Sequence, residues 1–263
     1  MRLKRLHSLS GVVPLGAFVV LHVWVTSSIA SSSFAYDRQI GWLHGGWFLG
    51  LLEVVLIVVP LAYHALYGVW LSLQPRDPDH AYDTDLMVSL ERASGIVVLV
   101  FIAAHLWEFR VQTWSNALPV TSYSSKLVED LSSTQSGVPW IAIGYLVGIA
   151  ATCFHLANGM TSFCTTWGYT RTARARRRAR VLFRVAGALL FVVSCGIVLQ
   201  LATGIRYFPS DEPRAPLCGS AATVAIAPLP VPARSVSSAA PSSSAPGSPS
   251  NSAPSSTPLP STP

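Results

Sequence analysis

Charged residues are scarce in this chain of 263 residues: Asp, Glu, Lys and Arg make up 11% of it, while hydrophobic residues make up 51%. A soluble domain of this size would carry roughly 25% charged residues. Most of the net charge of +6 comes from one arginine cluster rather than from a basic patch on a polar fold. The composition therefore argues against a nucleic-acid-binding domain and favours a membrane protein.

Cysteine is also rare. The four cysteines are Cys153, Cys164, Cys195 and Cys218, and no C-x-x-C motif occurs. This pattern provides no disulfide framework, no zinc site and no covalent C-x-x-C-H haem attachment. The three cysteines inside apolar runs are expected to be buried packing residues. A nucleotide-binding motif and an iron–sulfur set of cysteines are absent from the sequence as well.

The chain does contain five apolar stretches that are long enough to cross a bilayer as helices, for which about 20 residues suffice. They are residues 10–31, 46–73, 87–109, 138–166 and 181–205. The predicted fold class is therefore all-α, an integral membrane bundle of five transmembrane helices within residues 1–208. The first stretch carries a histidine at its centre and is followed by further spans, so we do not expect a cleavable signal peptide.

The positions of lysine and arginine predict the orientation. Arg2, Lys4 and Arg5 precede the first span, and seven arginines occur from Arg171 to Arg184, before the fifth span. Positive residues accumulate on the cytoplasmic side of membrane proteins. We therefore expect a cytoplasmic N-terminus and an extracytoplasmic C-terminus. The membrane itself is expected to be the inner (cytoplasmic) membrane of a bacterium, an expectation that the charge distribution does not establish by itself.

Residues 209–263 differ in composition from the rest of the chain. They are rich in Pro, Ser and Ala and contain no aromatic residue. Such a segment cannot bury enough apolar surface to fold. We predict a disordered extracytoplasmic tail.

Four histidines occupy the first four spans, one in each: His22, His64, His105 and His155. A single intramembrane histidine is often satisfied by an interhelical hydrogen bond, but four in successive spans indicate a shared role. Depth, at 1.5 Å per helical residue, separates them into two pairs. His22 and His105 lie nearer the outside, and His64 and His155 lie nearer the cytoplasm.

Two facing imidazoles without carboxylate ligands suit bis-imidazole haem better than zinc or di-iron. Gly68 and Gly159 each follow a histidine of the inner pair by four residues and share its helix face. They would give room to a porphyrin edge, although they could equally serve close helix packing. Two haem b groups at different depths would carry electrons across the membrane, between another subunit at the cytoplasmic end and a quinone.

Four segments resemble, in order, the haem-carrying helices of the diheme cytochrome b anchors of type B succinate:quinone oxidoreductases, a family that includes quinol:fumarate reductases. The segments are RLHSLSGVVPLGAFVVLH, LLEVVLIVVPLAYHALYGVW, LERASGIVVLVFIAAHLWEFR and FHLANGMTSFCTTWG. The similarity covers about residues 4–205. It implies a proximal haem held by His64 and His155 and a distal haem held by His22 and His105. It further implies docking on an iron–sulfur subunit that carries a FAD-bearing subunit, with electrons passing from succinate to a quinone, usually menaquinone.

Glu53 is the only carboxylate deep inside a span. It precedes His64 by 11 residues, so both side chains point in nearly the same direction, with Glu53 about 16 Å farther outward. An intramembrane carboxylate is a functional candidate. We predict that Glu53 transfers protons for the quinone, with a structural hydrogen bond as the alternative. Glu108 and Arg110 could bind a propionate, the quinone or each other.

Five further residues are weaker candidates. Asp37 and His44 could lie beside the quinone, whereas His7, Ser8 and Arg92 could hydrogen-bond the propionates of the proximal haem. Ordinary anchoring at the membrane interface is the alternative for these polar residues. The arginine cluster is expected to enforce topology, with docking to the iron–sulfur subunit or to anionic lipid as secondary roles.

Three functional hypotheses follow from the sequence. The first is the electron-transfer subunit of a succinate or fumarate complex, without a dicarboxylate active site in this chain. The second is a diheme cytochrome b that serves another donor, such as a hydrogenase or a formate dehydrogenase. The third is a haem-free transporter that uses its histidines as proton relays.

Overall fold

The computed structural model describes residues 2–75, 85–115 and 117–205, and within these ranges it contains helices and no strand. Five helices are long and apolar enough to cross a membrane. In chain order the helices are α1 (Arg2–Ala30), α2 (Ser33–Leu43), α3 (Trp47–Ser72), α4 (Leu86–Trp114), α5 (Tyr123–Ser132), α6 (Trp140–Thr166) and α7 (Ala173–Thr203), of which α2 and α5 are the short ones. The prediction of an all-α, five-span bundle is confirmed. The predicted tail lies outside the described residues.

Helix α7 begins earlier than the apolar pattern predicts. Its N-cap is Thr172, whose side chain accepts a hydrogen bond from the Ala175 backbone amide at 3.1 Å. The arginine-rich stretch that we expected in a loop therefore forms the first turns of the helix. Hydropathy marks where a helix is apolar, whereas the capping residue marks where it begins. Gly204 ends the helix with a positive φ of 70°.

The buried hydrophobic core lies at one end of the bundle, which we call the outer end; the inner end is where α1 and α7 begin. Helices α2 and α5, which the sequence analysis did not predict, pack there against α4, α6 and α7. Leu131 of α5 is the most buried side chain of this core, at 1% exposure. The core residues are Val25, Ile29, Tyr36, Ile40, Phe109, Tyr123, Leu127, Leu131, Ala142, Ile197 and Val198.

The middle of the bundle is a cavity bounded by α1, α3, α4 and α6, with α7 packed along α6. Three of these helices contain a π-helical segment: Gly11–Gly16 in α1, Val54–Val58 in α3 and Leu106–Val111 in α4. Pro14 lies within the first segment, and its missing N–H interrupts the regular hydrogen-bond ladder. Such π-helical segments are frequent at functional sites.

Candidate functional site

The central cavity has a volume of about 1970 Å³. Pockets for single small ligands usually measure roughly 300–1,000 Å³, so this one has room for more than one such group. All four histidines predicted to be ligands line the cavity: His22, His64, His105 and His155. The four-helix arrangement thus brings together side chains that are far apart in the sequence.

The histidines face one another in two pairs. The ring centres of His64 and His155 are 6.2 Å apart, and the ring planes are inclined by 83°. The ring centres of His22 and His105 are 5.8 Å apart, with an angle of 81°. These are the same two pairs that helix depth predicts.

The spacing of each pair matches that of two axial ligands on one metal ion. An imidazole nitrogen lies about 2 Å from a bound metal, so the centres of two opposed rings are about 6 Å apart. Among the described residues, no group of three or more His, Cys, Asp or Glu side chains could hold a metal ion. The arrangement therefore fits an iron porphyrin, which supplies its own four equatorial nitrogens, better than a zinc site.

The imidazole of His64 is held by the first turns of α1. Its Nδ1 lies 3.1 Å from the His7 carbonyl oxygen and 3.4 Å from Ser10 Oγ. The Ser10 hydroxyl donates to the same carbonyl at 2.8 Å, which leaves the hydroxyl oxygen free to accept. Both contacts assign the proton to Nδ1 of His64, so Nε2 carries the lone pair that binds metal.

Helix α4 holds His155 in the same way. Nδ1 of His155 lies 3.3 Å from the Glu91 carbonyl oxygen and 3.4 Å from Ser94 Oγ. Ser94 donates to the Glu91 carbonyl at 2.8 Å. The inner pair therefore has two equivalent acceptor sites, each built from a carbonyl and a serine three residues later.

A glycine follows each of these serines and admits the imidazole. A Cβ on Gly11 would overlap the ring of His64, and a Cβ on Gly95 would lie 3.1 Å from Cε1 of His155. Neither glycine was predicted from the sequence. The signal was a repeated spacing, HSLSG at residues 7–11 and ERASG at residues 91–95.

The two glycines predicted to clear space for a porphyrin have different surroundings. Gly159 lines the cavity, and a Cβ there would meet no atom within 4 Å. A Cβ on Gly68 would instead lie 3.1 Å from Cε1 of His7. Gly159 thus faces open cavity, whereas Gly68 makes room for a histidine side chain.

His7 is the best supported of the inner-end candidates. Its ring is stacked on that of His64, with centres 4.1 Å apart and planes within 8°. Its Nδ1 is buried and has no hydrogen-bond partner among the described residues. Ser8 and Arg92 also line the cavity, and Nη1 of Arg92 donates to the Ser72 carbonyl at 3.1 Å.

Glu53 and Arg110 form a two-point ion pair on the cavity wall. Nε of Arg110 donates to Oε1 of Glu53 at 2.5 Å, and Nη2 donates to Oε2. The two side chains are only 22% and 15% exposed. The sequence predicted an inward-facing Glu53 but not this partner. The guanidinium also lies 5.0 Å from the ring centre of Trp114.

Glu108 contacts a different set of residues. Its Oε2 accepts a hydrogen bond from the Tyr145 hydroxyl at 2.7 Å, and its Oε1 lies 3.7 Å from Lys126 Nζ. The same tyrosine oxygen lies 3.2 Å from Nδ1 of His105. Lys126 also binds Asp130 at 2.6 Å. Burial alone would lower the pKa of Lys126, but the bond to Asp130 and the two carboxylate charges outweigh it and raise that pKa.

The two remaining quinone-side candidates have structural contacts. Asp37 accepts hydrogen bonds from the Ser124 backbone amide at 3.1 Å and from its hydroxyl at 2.5 Å, at the start of α5. His44 borders the cavity, and its Nδ1 lies 2.8 Å from the Ile40 carbonyl oxygen at the end of α2. Asp37 thus ties α2 to α5, whereas His44 retains access to the cavity.

No family model and no solved structure matches this chain. A similar curated protein is the succinate dehydrogenase cytochrome b558 subunit of Bacillus subtilis (strain 168). The two are 32% identical over 176 residues, which are 66% of this chain and 83% of the relative. Together with the five apolar helices, this similarity makes the chain a multi-pass membrane protein. The chain belongs to the family of succinate dehydrogenase cytochrome b558 subunits.

Proposed function

We propose that this chain anchors succinate dehydrogenase in the membrane and conducts electrons from an iron–sulfur subunit, through two b haems, to a quinone. The main observation in support is that one cavity contains two pairs of facing imidazoles. The ring centres of His64 and His155 are 6.2 Å apart, and those of His22 and His105 are 5.8 Å apart. The relative's name, a cytochrome b558 subunit of succinate dehydrogenase, supports the same function. The chain is then the electron-transfer part of an oxidoreductase whose FAD and iron–sulfur clusters belong to partner subunits.

His64 and His155 are proposed to ligate the proximal haem, and His22 and His105 the distal one. When bound, haem would supply one-electron redox chemistry at its iron. The chain contributes the rest: it presents Nε2 of each imidazole to the metal, keeps the proton on Nδ1 of the proximal ligands and excludes water with apolar walls. These constraints are those expected of a site that binds a metal through neutral histidine.

At the inner end, His7, Ser8 and Arg92 are proposed to bind the propionates of the proximal haem. The unpartnered Nδ1 of His7 is a buried polar atom, and such atoms usually have a hydrogen-bond partner. A propionate oxygen would provide that partner. Gly159 would face the porphyrin edge, because a Cβ there meets only open cavity.

At the outer end, we propose that Glu53 and Arg110 border the quinone site. Reduction of a quinone to a quinol consumes two electrons and two protons, so a group that moves protons must lie beside it. A carboxylate on the cavity wall suits that role. Arg110 binds both carboxylate oxygens of Glu53 and so fixes its position on the cavity wall. The quinone is proposed to be menaquinone. His44 is a further candidate, whereas the contacts of Asp37 with Ser124 favour a structural role.

The proposed orientation is an inner end in the cytoplasm, within the inner membrane of a bacterium. Seven arginines between Arg171 and Arg184, together with Arg2, Lys4 and Arg5, lie at the inner end. This distribution obeys the positive-inside rule. The iron–sulfur subunit would therefore dock there, close to His64 and His155.

The test is to count and assign haems in the purified complex. A pyridine haemochrome assay should give about two haems b per chain, and succinate should reduce them in a preparation that contains FAD. His64→Ala and His155→Ala should remove the same haem, whereas the control His44→Ala should keep both. A preparation without haem, or loss of different haems in the two variants, would contradict the proposal.

A further inference from the structure

Three of the candidate ligands, His64, His155 and His105, have a hydrogen-bond partner at Nδ1, and these partners differ. His64 and His155 face a serine hydroxyl and a backbone carbonyl, both of which are neutral acceptors. His105 faces the Tyr145 hydroxyl instead, and that hydroxyl donates its own proton to the carboxylate of Glu108. A negative charge is thus connected to one ligand of the outer pair through a single tyrosine.

We propose that Tyr145 and Glu108 are positioning residues that make His105 a more electron-donating ligand and thereby lower the reduction potential of the distal haem. The inference rests on the proposed function, since it requires that His105 bind iron. It adds a role for Tyr145, a residue that the sequence pattern did not single out.

The geometry gives the hydrogen-bond chain a direction. Tyr145 donates to Oε2 of Glu108 at 2.7 Å, so its oxygen presents lone pairs to Nδ1 of His105 at 3.2 Å. A hydroxyl that donates to a carboxylate becomes a stronger acceptor, because linked hydrogen bonds polarise one another. The imidazole therefore keeps its proton on Nδ1 and gains electron density on Nε2, which is the usual effect of an acceptor behind a metal-binding histidine.

The sign of the effect follows from charge. An electron-rich ligand stabilises ferric iron more than ferrous iron, so the distal haem becomes harder to reduce. Lys126 offsets only part of the effect, because its ammonium lies 3.7 Å from Oε1 of Glu108 but 2.6 Å from Asp130, whose carboxyl group also interacts with Glu108. Arg110 does not neutralise Glu108, because its guanidinium is engaged by Glu53.

The ring of Tyr145 also packs against the same ligand, with its centre 5.9 Å from that of His105 and the planes inclined by 79°. A phenylalanine retains this packing and removes only the hydroxyl. The chain offers a matched control at the outer end: Tyr123, whose hydroxyl lies 2.7 Å from Thr113 Oγ1. Tyr123→Phe therefore removes a comparable buried hydroxyl without touching the hydrogen-bond chain to His105.

The experiment is a potentiometric titration of the haem absorbance in the purified complex, with Tyr145→Phe, Glu108→Gln and Tyr123→Phe beside the unaltered chain. We expect one of the two haems, the same one in both test variants, to titrate at a higher potential while the other stays unchanged. A tenfold change in the reduction equilibrium corresponds to about 59 mV for a one-electron couple, and we expect a shift of this order for Tyr145→Phe. Tyr123→Phe should shift neither haem.

Glu108→Gln keeps the tyrosine hydroxyl and removes only the charge. It therefore tests the effect of Glu108 on the reduction potential even if Tyr145→Phe loses a haem. An unchanged or lowered potential in Glu108→Gln, with both haems retained, overturns the inference and leaves the proposed function intact. If the unaltered complex titrates with no b-type haem or with only one, the proposed function itself fails. The EPR spectrum of the ferric complex gives an independent readout, since only the signal of the shifted haem should change.

Discussion

The imidazole of His64 occupies the position at which a Cβ on Gly11 would stand. Helix α3, which carries His64, can therefore approach α1 this closely only because residue 11 has no side chain. Gly95 of α4 has the same relationship to His155, with 3.1 Å between its added Cβ and the ring. Both histidines of the inner pair thus fit against glycines on neighbouring helices rather than against glycines of their own helices.

Gly11→Ala and Gly95→Ala should each lead to loss of the proximal haem from the complex. The added methyl pushes the imidazole away from its acceptor, and overpacking of this kind typically costs about 1–3 kcal/mol. A pyridine haemochrome assay should fall from about two haems per chain towards one. Gly50→Ala and Gly144→Ala are matched controls on the ligand-bearing helices α3 and α6, because an added Cβ meets no atom within 4 Å at either position. Full haem content in both test variants would contradict the proposed geometry.

Glu53→Gln should reduce quinone turnover at least tenfold while both haems keep their spectra. The amide retains a hydrogen bond to Arg110 but carries no transferable proton near neutral pH. Succinate-dependent quinone reduction and haem spectra measure the two properties separately. The double variant Glu53→Gln/Arg110→Gln removes the unpaired charge that the single variant leaves. If the double variant restores turnover, Glu53 serves only to neutralise Arg110.

His7→Phe should retain the proximal haem but lower its reduction potential. Phenylalanine keeps an aromatic ring stacked on His64, and it removes the nitrogen proposed to bind a propionate. An uncompensated propionate is more negative and favours ferric iron, so the shift is opposite in sign to the one expected for Tyr145→Phe. Redox titration of the complex measures it. An unchanged potential would assign His7 to packing alone.

Asp37→Ala and Ser124→Ala should destabilise the outer end without affecting electron transfer. Asp37 satisfies a free amide at the start of α5, and losing such a cap costs about 0.5–2 kcal/mol. Asp37→Ala loses both hydrogen bonds and should lower the melting temperature of the complex more than Ser124→Ala, which loses only the hydroxyl bond. Haem content and quinone turnover should be unchanged in both variants. Reduced turnover at an unchanged melting temperature would make Asp37 a quinone-site residue instead.

The sequence predicted the parts of the structure that depend on local properties. Long apolar runs indicate membrane-spanning helices, so the sequence predicted all five spans that the described residues contain. The four histidines stood out because an imidazole inside such a run is costly unless it has a partner. By contrast, helices α2 and α5 are short and partly polar, so their hydropathy resembles that of loops.

Apart from the two histidine pairs, the contacts between helices could not be predicted, because they depend on how each helix is rotated about its axis. Glu53 pairs with Arg110 across two helices, whereas the sequence suggested Glu108 as a partner for that arginine. In the sequence, Tyr145 looks like any aromatic residue in a membrane span. Only the structure shows that its hydroxyl lies between His105 and Glu108. The serine–glycine pairs were overlooked because small residues are common in membrane helices.

The serine–glycine spacing HSLSG in α1 recurs as ERASG in α4, and each copy receives an imidazole from the next membrane helix along the chain, α3 or α6. Helices α1 and α3 thus form one hairpin and α4 and α6 form an equivalent second one, and each histidine pair takes one residue from each hairpin. During translation, His22 and His105 can meet as soon as α4 has left the ribosome, whereas His64 must wait for α6. The outer pair can thus be completed first, and the second hairpin completes the inner pair.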